Sequence, residues 1–254
     1  MTLVQFQAVT QRFGNVLALD ALDLEVRTGE VFGLLGSNGA GKTTALRILC
    51  GLLAPTSGKV MLAGTDVHAD PLAARRRFSF VPDGAPMYAN LSPRQHLALV
   101  GRLHGIDEAR IASETTRLLD ALELGNRIDD PVGQFSRGMR QKTGLACAIL
   151  PRPELLILDE PFNGLDAPTT AVFKEVLRGW ADRGGAVIYT SHMLDVAERV
   201  CDRVAVLHAG RLIGVGDLQE LRTVAGRGGT LEEVFGTLTR AADPRLGAAR
   251  ILGA

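Results

Sequence analysis

The sequence predicts an α/β fold with buried parallel strands at its centre. Three observations carry this. Val31-Phe32-Gly33-Leu34-Leu35 and Leu155-Leu156-Ile157-Leu158 are continuous apolar runs, the pattern of strands covered on both faces. A glycine-rich loop follows the first run, and a helical stretch follows the loop. A block from Tyr88 to about Leu150 has helical character and separates two β-rich halves.

In chain order, Val4, Phe6 and Ala8 alternate with polar neighbours, as do Leu22, Leu24 and Val26, so each stretch reads as a half-buried strand. Arg12-Phe13-Gly14-Asn15 reads as the turn between them. Phe13 has two readings: a strand-end residue tucked onto the core, or a flat platform for a base, because stacking needs only a ring face. Thr28-Gly29-Glu30 turns the chain into the first buried run. Beyond the glycine loop, Ala45 to Cys50 reads as helix, with Gly51 where a C-terminal cap belongs. Pro55-Thr56-Ser57-Gly58 is a turn cluster, and Val60 and Leu62 mark a short strand ending near Gly64. Arg75-Arg76-Arg77 reads as a solvated helix face. Phe78 to Val81 is a strand that Pro82-Asp83-Gly84 ends.

Ser92-Pro93-Arg94-Gln95 combines a cap serine, a proline at the first helical position and a glutamine at the third. Leu97, Val100 and Leu103, then Ile111, Leu118, Leu119 and Leu122, keep roughly helical spacing. After the second buried run, Ala186 to Thr190 is a strand ending in Ser191-His192. Val204 to Leu207 is another, turning through Ala209-Gly210 into Leu212-Ile213. Leu218 to Ala254 reads as a separate appendage. There Thr230 and Glu233 form a capping box, and Leu231, Val234, Phe235 and Leu238 form a helical stripe. The stripe must bury against the main domain, a partner or a second copy, and the stretch after Ala241 is small and polar enough to fray.

The chemistry concentrates in two places. Gly36-Ser37-Asn38-Gly39-Ala40-Gly41-Lys42-Thr43-Thr44 fits the phosphate-cradling pattern, with Gly36, Gly41, Lys42 and Thr43 at its fixed positions. Glycines let the backbone turn several N–H groups onto one anion. Lys42 adds charge for the β- and γ-phosphates, and Thr43 offers a hydroxyl to Mg²⁺. Asp159-Glu160 stands at the carboxyl end of the second buried run, where ligands bind in open α/β sheets. The first acid would orient Mg²⁺ and the second would polarise an attacking water. His192 alone is weak evidence, since a single strand-end histidine is more often structural.

Composition bounds the rest. The 254 residues carry 28 basic and 28 acidic side chains, so no nucleic-acid surface is indicated. No apolar stretch approaches the ~18 residues of a membrane span, and Met1 to Gln5 has no basic leader, which predicts no secretory signal. Cys50, Cys147 and Cys201 are far apart in apolar company, as reduced packed thiols are. These features predict a cytoplasmic chain whose membrane role, if any, comes through a partner.

Together the motifs resemble the ATP-binding cassette of ABC transporters, from about Val4 to Gly216. Gly36 to Thr44 resembles the Walker A loop, and Leu155 to Glu160 resembles Walker B with its glutamate. Gly164-Leu165-Asp166 is similar to the D-loop, His192 to the switch histidine, and Phe13 to the adenine-stacking aromatic. The signature motif, usually Leu-Ser-Gly-Gly-Gln, reads Phe135-Ser136-Arg137-Gly138-Met139; Ser136 and Gly138 remain. The form Ser136 to Gln141 resembles the branch that powers type-2 exporters of drugs, antibiotics or sodium, as does Thr230 to Phe235. Asp83 stands where the family's Q-loop glutamine is expected, and Ser37 replaces a common proline.

The resemblance implies a fold and a mechanism. The fold is a P-loop NTPase core with a mixed sheet, an antiparallel β subdomain and a helical insertion at about 88–150. Together these form a domain over 1–217, with a tail over 218–254. Lys42, the loop from Gly36 to Thr44, Phe13, Asp166, and Ser136 and Gly138 of a second copy would hold ATP. Thr43, Asp83 and Asp159 would hold Mg²⁺, Glu160 would serve as the base and His192 would hold the γ-phosphate. The implied protein hydrolyses ATP as a homodimer. It drives a separate integral membrane permease from the cytoplasmic face of the membrane, with no nucleic-acid partner. An importer ATPase, a soluble ABC protein acting on ribosomes or DNA, and a regulatory nucleotide switch are the alternatives.

Overall fold

The structure is a computed structural model that describes residues 1–226 and 229–239. Strands β1 (Thr2–Phe13) and β2 (Val16–Arg27) form an antiparallel hairpin. Strands β4 (Ser57–Leu62) and β5 (Thr65–Asp66) extend it into an antiparallel sheet of order β2-β1-β4-β5. The expected alternation breaks at Ala8, which is exposed while Val9 is buried. Ala8 takes a left-handed backbone (φ 47°), and its N–H goes to the Asp23 carboxylate at 2.8 Å. This bulge shifts the pairing register and turns Val9 inward. Ser57 and Gly58, expected in a turn, already belong to β4.

The second sheet is mixed. Its strands are β3 (Val31–Leu35), β6 (Phe78–Val81), β7 (Leu155–Asp159), β8 (Ala186–Ser191), β9 (Arg203–His208) and β10 (Arg211–Gly216), in the order β10-β9-β3-β8-β7-β6. All neighbours are parallel except β9 and β10. Both of its faces are covered, which explains the continuous apolar runs. Phe32, Leu34, Leu155, Ile157 and Ile188 face a core shared with the antiparallel sheet and helix α1 (Lys42–Leu49). Val31, Leu35, Leu156, Leu158 and Tyr189 face a second core on the other side.

Helix α2 (Pro71–Arg75) precedes β6, with Arg75 and Arg76 exposed. The helical block comprises α3 (Pro93–Leu103), α4 (Glu108–Ala121) and α5 (Arg137–Ile149). Ser92 and Gln95 make the expected capping box. Helices α6 (Ala167–Asp182) and α7 (Leu194–Val200) connect the later strands. Helices α8 (Leu218–Val224) and α9 (Leu231–Leu238) complete the described chain. Leu231 and Val234 of α9 are fully buried in the second core, and the Leu231 N–H donates to Glu198 of α7 at 3.0 Å. The apolar stripe therefore packs on the main body. The stretch after Ala241, expected to fray, lies outside the described residues.

Candidate functional site

The carboxyl ends of β3, β8 and β7 lie level, with Leu35 opposite Ser191 and Thr190 opposite Asp159. The loop from Gly36 to Gly41 leaves the first of these and feeds α1, whose cap residue Gly41 offers no side-chain bond. The first N–H groups of α1 are therefore free for an anion. Close approach explains two glycines. A Cβ on Gly36 would sit 2.5 Å from the Leu207 carbonyl oxygen, and one on Gly41 would sit 2.7 Å from that of Ala18. Gly41 also has φ 111°, a backbone that side chains disfavour. Its neighbours Ser37, Asn38 and Gly39 are exposed, while Ala40 is buried.

Lys42 is buried, yet its ammonium reaches back to donate to the Gly36 carbonyl at 2.7 Å and lies 3.8 Å from Glu160 Oε1. Glu160 Oε2 meets His192 Nδ1 at 3.0 Å. Thr43 Oγ1 donates to Asp159 Oδ2 at 3.3 Å. Five residues singled out in the sequence thus join in one place: Lys42, Thr43, Asp159, Glu160 and His192. Thr44 lies beside them, part-buried in the first turn of α1.

Thr190 ties the two acids together and carries no motif of its own. It is fully buried; its hydroxyl donates to Asp159 Oδ1 at 2.5 Å and accepts from the Glu160 N–H at 3.0 Å. Glu160 takes a left-handed backbone (φ 49°), so this bond restrains a strained residue. Nothing in the sequence separates Thr190 from other strand threonines; only its register opposite Asp159 does.

The remaining expected residues lie elsewhere. Phe13 ends β1 with its ring 49% exposed, not tucked into the core. Ser136 caps α5, its Oγ accepting from the Met139 N–H at 3.2 Å, and Gly138 faces Leu165 and Gly164. Asp166 caps α6; hydrogen bonds from Thr169 hold its carboxyl below the usual range. Asp83 is not joined to Thr43 or Asp159. Its carboxylate accepts from Arg137 Nη2 at 2.6 Å.

Between the sheet edge and the helical block runs an apolar groove of about 590 Å³, lined by Phe80, Met87, Tyr88, His96, Leu99 and Val100 among others. His96 is buried in its wall. Its Nδ1 pairs with the Ser92 carbonyl at 2.9 Å, and its Nε2 accepts from the Tyr88 N–H at 3.1 Å. Both partners together require the neutral ring protonated on Nδ1.

The donor set suits a hard cation. A threonine hydroxyl and a carboxylate, both oxygen ligands of the kind Mg²⁺ prefers, face each other beside the glycine-rich loop. Among the described residues no cluster of three or more His, Cys, Asp or Glu is placed to hold a metal. An ion here would therefore share its coordination with phosphates and water. No helix among those residues is long and apolar enough to cross a membrane.

Comparison with known proteins agrees with this geometry. A family profile described as "ABC transporter" matches residues 19–163. Nod factor export ATP-binding protein I of Cupriavidus metallidurans is 39% identical over 219 residues, covering 86% of this chain and 72% of that protein. Daunorubicin resistance ATP-binding protein DrrA3 of Streptomyces coeruleorubidus is 37% identical over 225 residues, covering 89% and 71%. A solved structure described as an ATP-binding subunit of an ABC transporter superposes with a TM-score of 0.89 at 32% identity, covering 93% of this chain and 99% of that one. A nucleotide-free ATP-binding cassette superposes with a TM-score of 0.78 at 20% identity, which speaks to the fold alone.

Proposed function

The chain belongs to the ABC transporter family as an ATP-binding, ATP-hydrolysing subunit, and on that premise we propose that it powers an exporter of drugs, antibiotics or similar cargo. The names of its relatives and the signature form Ser136 to Gln141 support the direction of transport. The observation that carries the site reading is the contact chain Lys42–Glu160–His192 beside Thr43–Asp159.

In this reading the cradle from Gly36 to Thr44 binds the ATP phosphates, with Lys42 neutralising them and Phe13 stacking on the adenine. Thr43 and Asp159 hold Mg²⁺, which when bound offsets phosphate charge and polarises the γ-phosphoryl group. Asp83 joins them only if its pair with Arg137 opens. Glu160, held by Thr190 and by His192, takes the proton of the attacking water; His192 then faces the γ-phosphate. The Glu160 side chain itself is only 13% exposed, beside the half-exposed His192.

Ser136, at the cap of α5, and Gly138 in its first turn serve the site of a second copy stacked head to tail, with Asp166 at the seam. ATP between the copies holds them closed, and hydrolysis lets them part, a ligand-driven population shift. The chain sits on the cytoplasmic face of the membrane. The groove along Phe80, Met87, Tyr88 and Leu99 receives an apolar helix from the integral membrane subunit.

Glu160→Gln tests the site. The variant binds ATP and accumulates as a closed dimer while turnover falls by at least about 100-fold, the usual scale for loss of a catalytic base. Hydrolysis at the wild-type rate removes Glu160 from the reaction.

A further inference from the structure

Two departures from the family pattern stand 54 positions apart: Asp83 in place of a glutamine and Arg137 inside the signature. The fold brings them together. Val81 of β6 lies opposite Leu158 of β7, so Asp83 emerges at the same sheet edge as Asp159 and Glu160. Its carboxylate meets Arg137 Nη2 at 2.6 Å. The stem of Arg137 lies over the loop after the acidic pair, with Cδ 2.9 Å from where a Cβ on Gly164 would be.

Arg137 is also the first helical residue of α5, immediately after the cap Ser136. A cation there faces the positive end of the helix dipole, and the first turn of α5 contains no acid to offset it. The counter-charge must come from outside the helix, and Asp83 supplies it. One side chain thereby spans three segments: from the start of the helix carrying Ser136, its stem lies against the loop at Gly164 and its guanidinium binds Asp83 after β6.

We propose that Asp83 and Arg137 form a single compensating pair, and that Arg137 is a positioning residue that fixes the start of α5, and with it Ser136, against the sheet edge. The pair takes the place of a neutral glutamine and a small signature residue. It restrains the helical block relative to the core at the point where Ser136 is presented to a second copy. The proposal rests on the head-to-tail reading above.

The test is a double-mutant cycle in the Glu160→Gln background, with the ATP-driven dimer constant measured by sedimentation. Asp83→Asn and Arg137→Gln each weaken the dimer by up to about five-fold, the range of an exposed ion pair. The double variant is no weaker than either single one, Arg137→Lys retains most of the dimer, and the coupling fades in high salt. Losses that multiply in the double variant, with a dimer still formed, overturn the pair and leave the head-to-tail reading intact. Failure of the Glu160→Gln chain itself to dimerise with ATP removes that reading and the proposal together.

Discussion

Thr190 offers the sharpest prediction, because a single hydroxyl serves both acids of the site. Thr190→Val keeps the branched shape and replaces that hydroxyl with a methyl group. It removes a hydrogen bond to the Asp159 carboxylate, worth about 1.5–3 kcal/mol for a charged acceptor. It also strands the part-buried Glu160 N–H, at a further cost of about 1–3 kcal/mol. Water entering from the open side of the site offsets part of this, so about 3 kcal/mol is expected. For a chain of this size each kcal/mol lowers the melting temperature by about 2–4 °C, which gives a drop of about 6–12 °C. Below that temperature ATP turnover falls at least about ten-fold, since Glu160 loses the bond that holds its left-handed backbone. Thr190→Ser keeps the hydroxyl and retains most of the activity. Differential scanning fluorimetry without nucleotide and a steady-state phosphate-release assay read both quantities. A Thr190→Val chain that melts within about 2 °C of wild type and turns over normally refutes the reasoning.

Two further predictions concern the loop and the thiols. Gly41→Ala forces a Cβ to within 2.7 Å of the Ala18 carbonyl oxygen on a left-handed backbone, so ATP binding followed by a fluorescent analogue is lost. Burial first, then the nearby Asp159 carboxylate, pushes the Cys50 thiol well above its usual 9.0. The unfolded chain therefore loses this proton near pH 9 while the folded chain keeps it, so the unfolded state binds fewer protons and stability falls as pH rises. The contribution is intact below pH 9 and declines above it by about 1.4 kcal/mol per unit. Urea titrations from pH 8 to 10 show a shallower decline in Cys50→Ala. In the folded protein, Cys50 resists iodoacetamide at pH 8.

The buried strands were legible because their apolar runs reflect a sheet covered on both faces. The capping boxes at Ser92 and Thr230 were legible because they close within four residues. Ala8 was misplaced because a bulge breaks the period that alternation assumes, and its cause is a bond to Asp23, 15 residues away. Helices α6 and α7 escaped notice beside the stronger motifs around them, although Asp166 caps the first of them. At the site, Lys42, Thr43, Asp159, Glu160 and His192 were all visible. Thr190 and the Asp83–Arg137 pair were not, since neither follows from spacing along the chain.

By itself, then, the sequence marked the glycine-rich loop and the acidic pair. Each is a contiguous stretch whose backbone and charges work over a few ångströms. Only the tertiary structure decided that β8 slots between β3 and β7. Parallel neighbours are joined by long crossovers, so their order is settled by packing on both faces and leaves no local trace. That order places Thr190 and His192 on the strand between the glycine-rich loop's strand and that of the acids, and it places Asp83 one strand further along the same edge, within reach of Arg137.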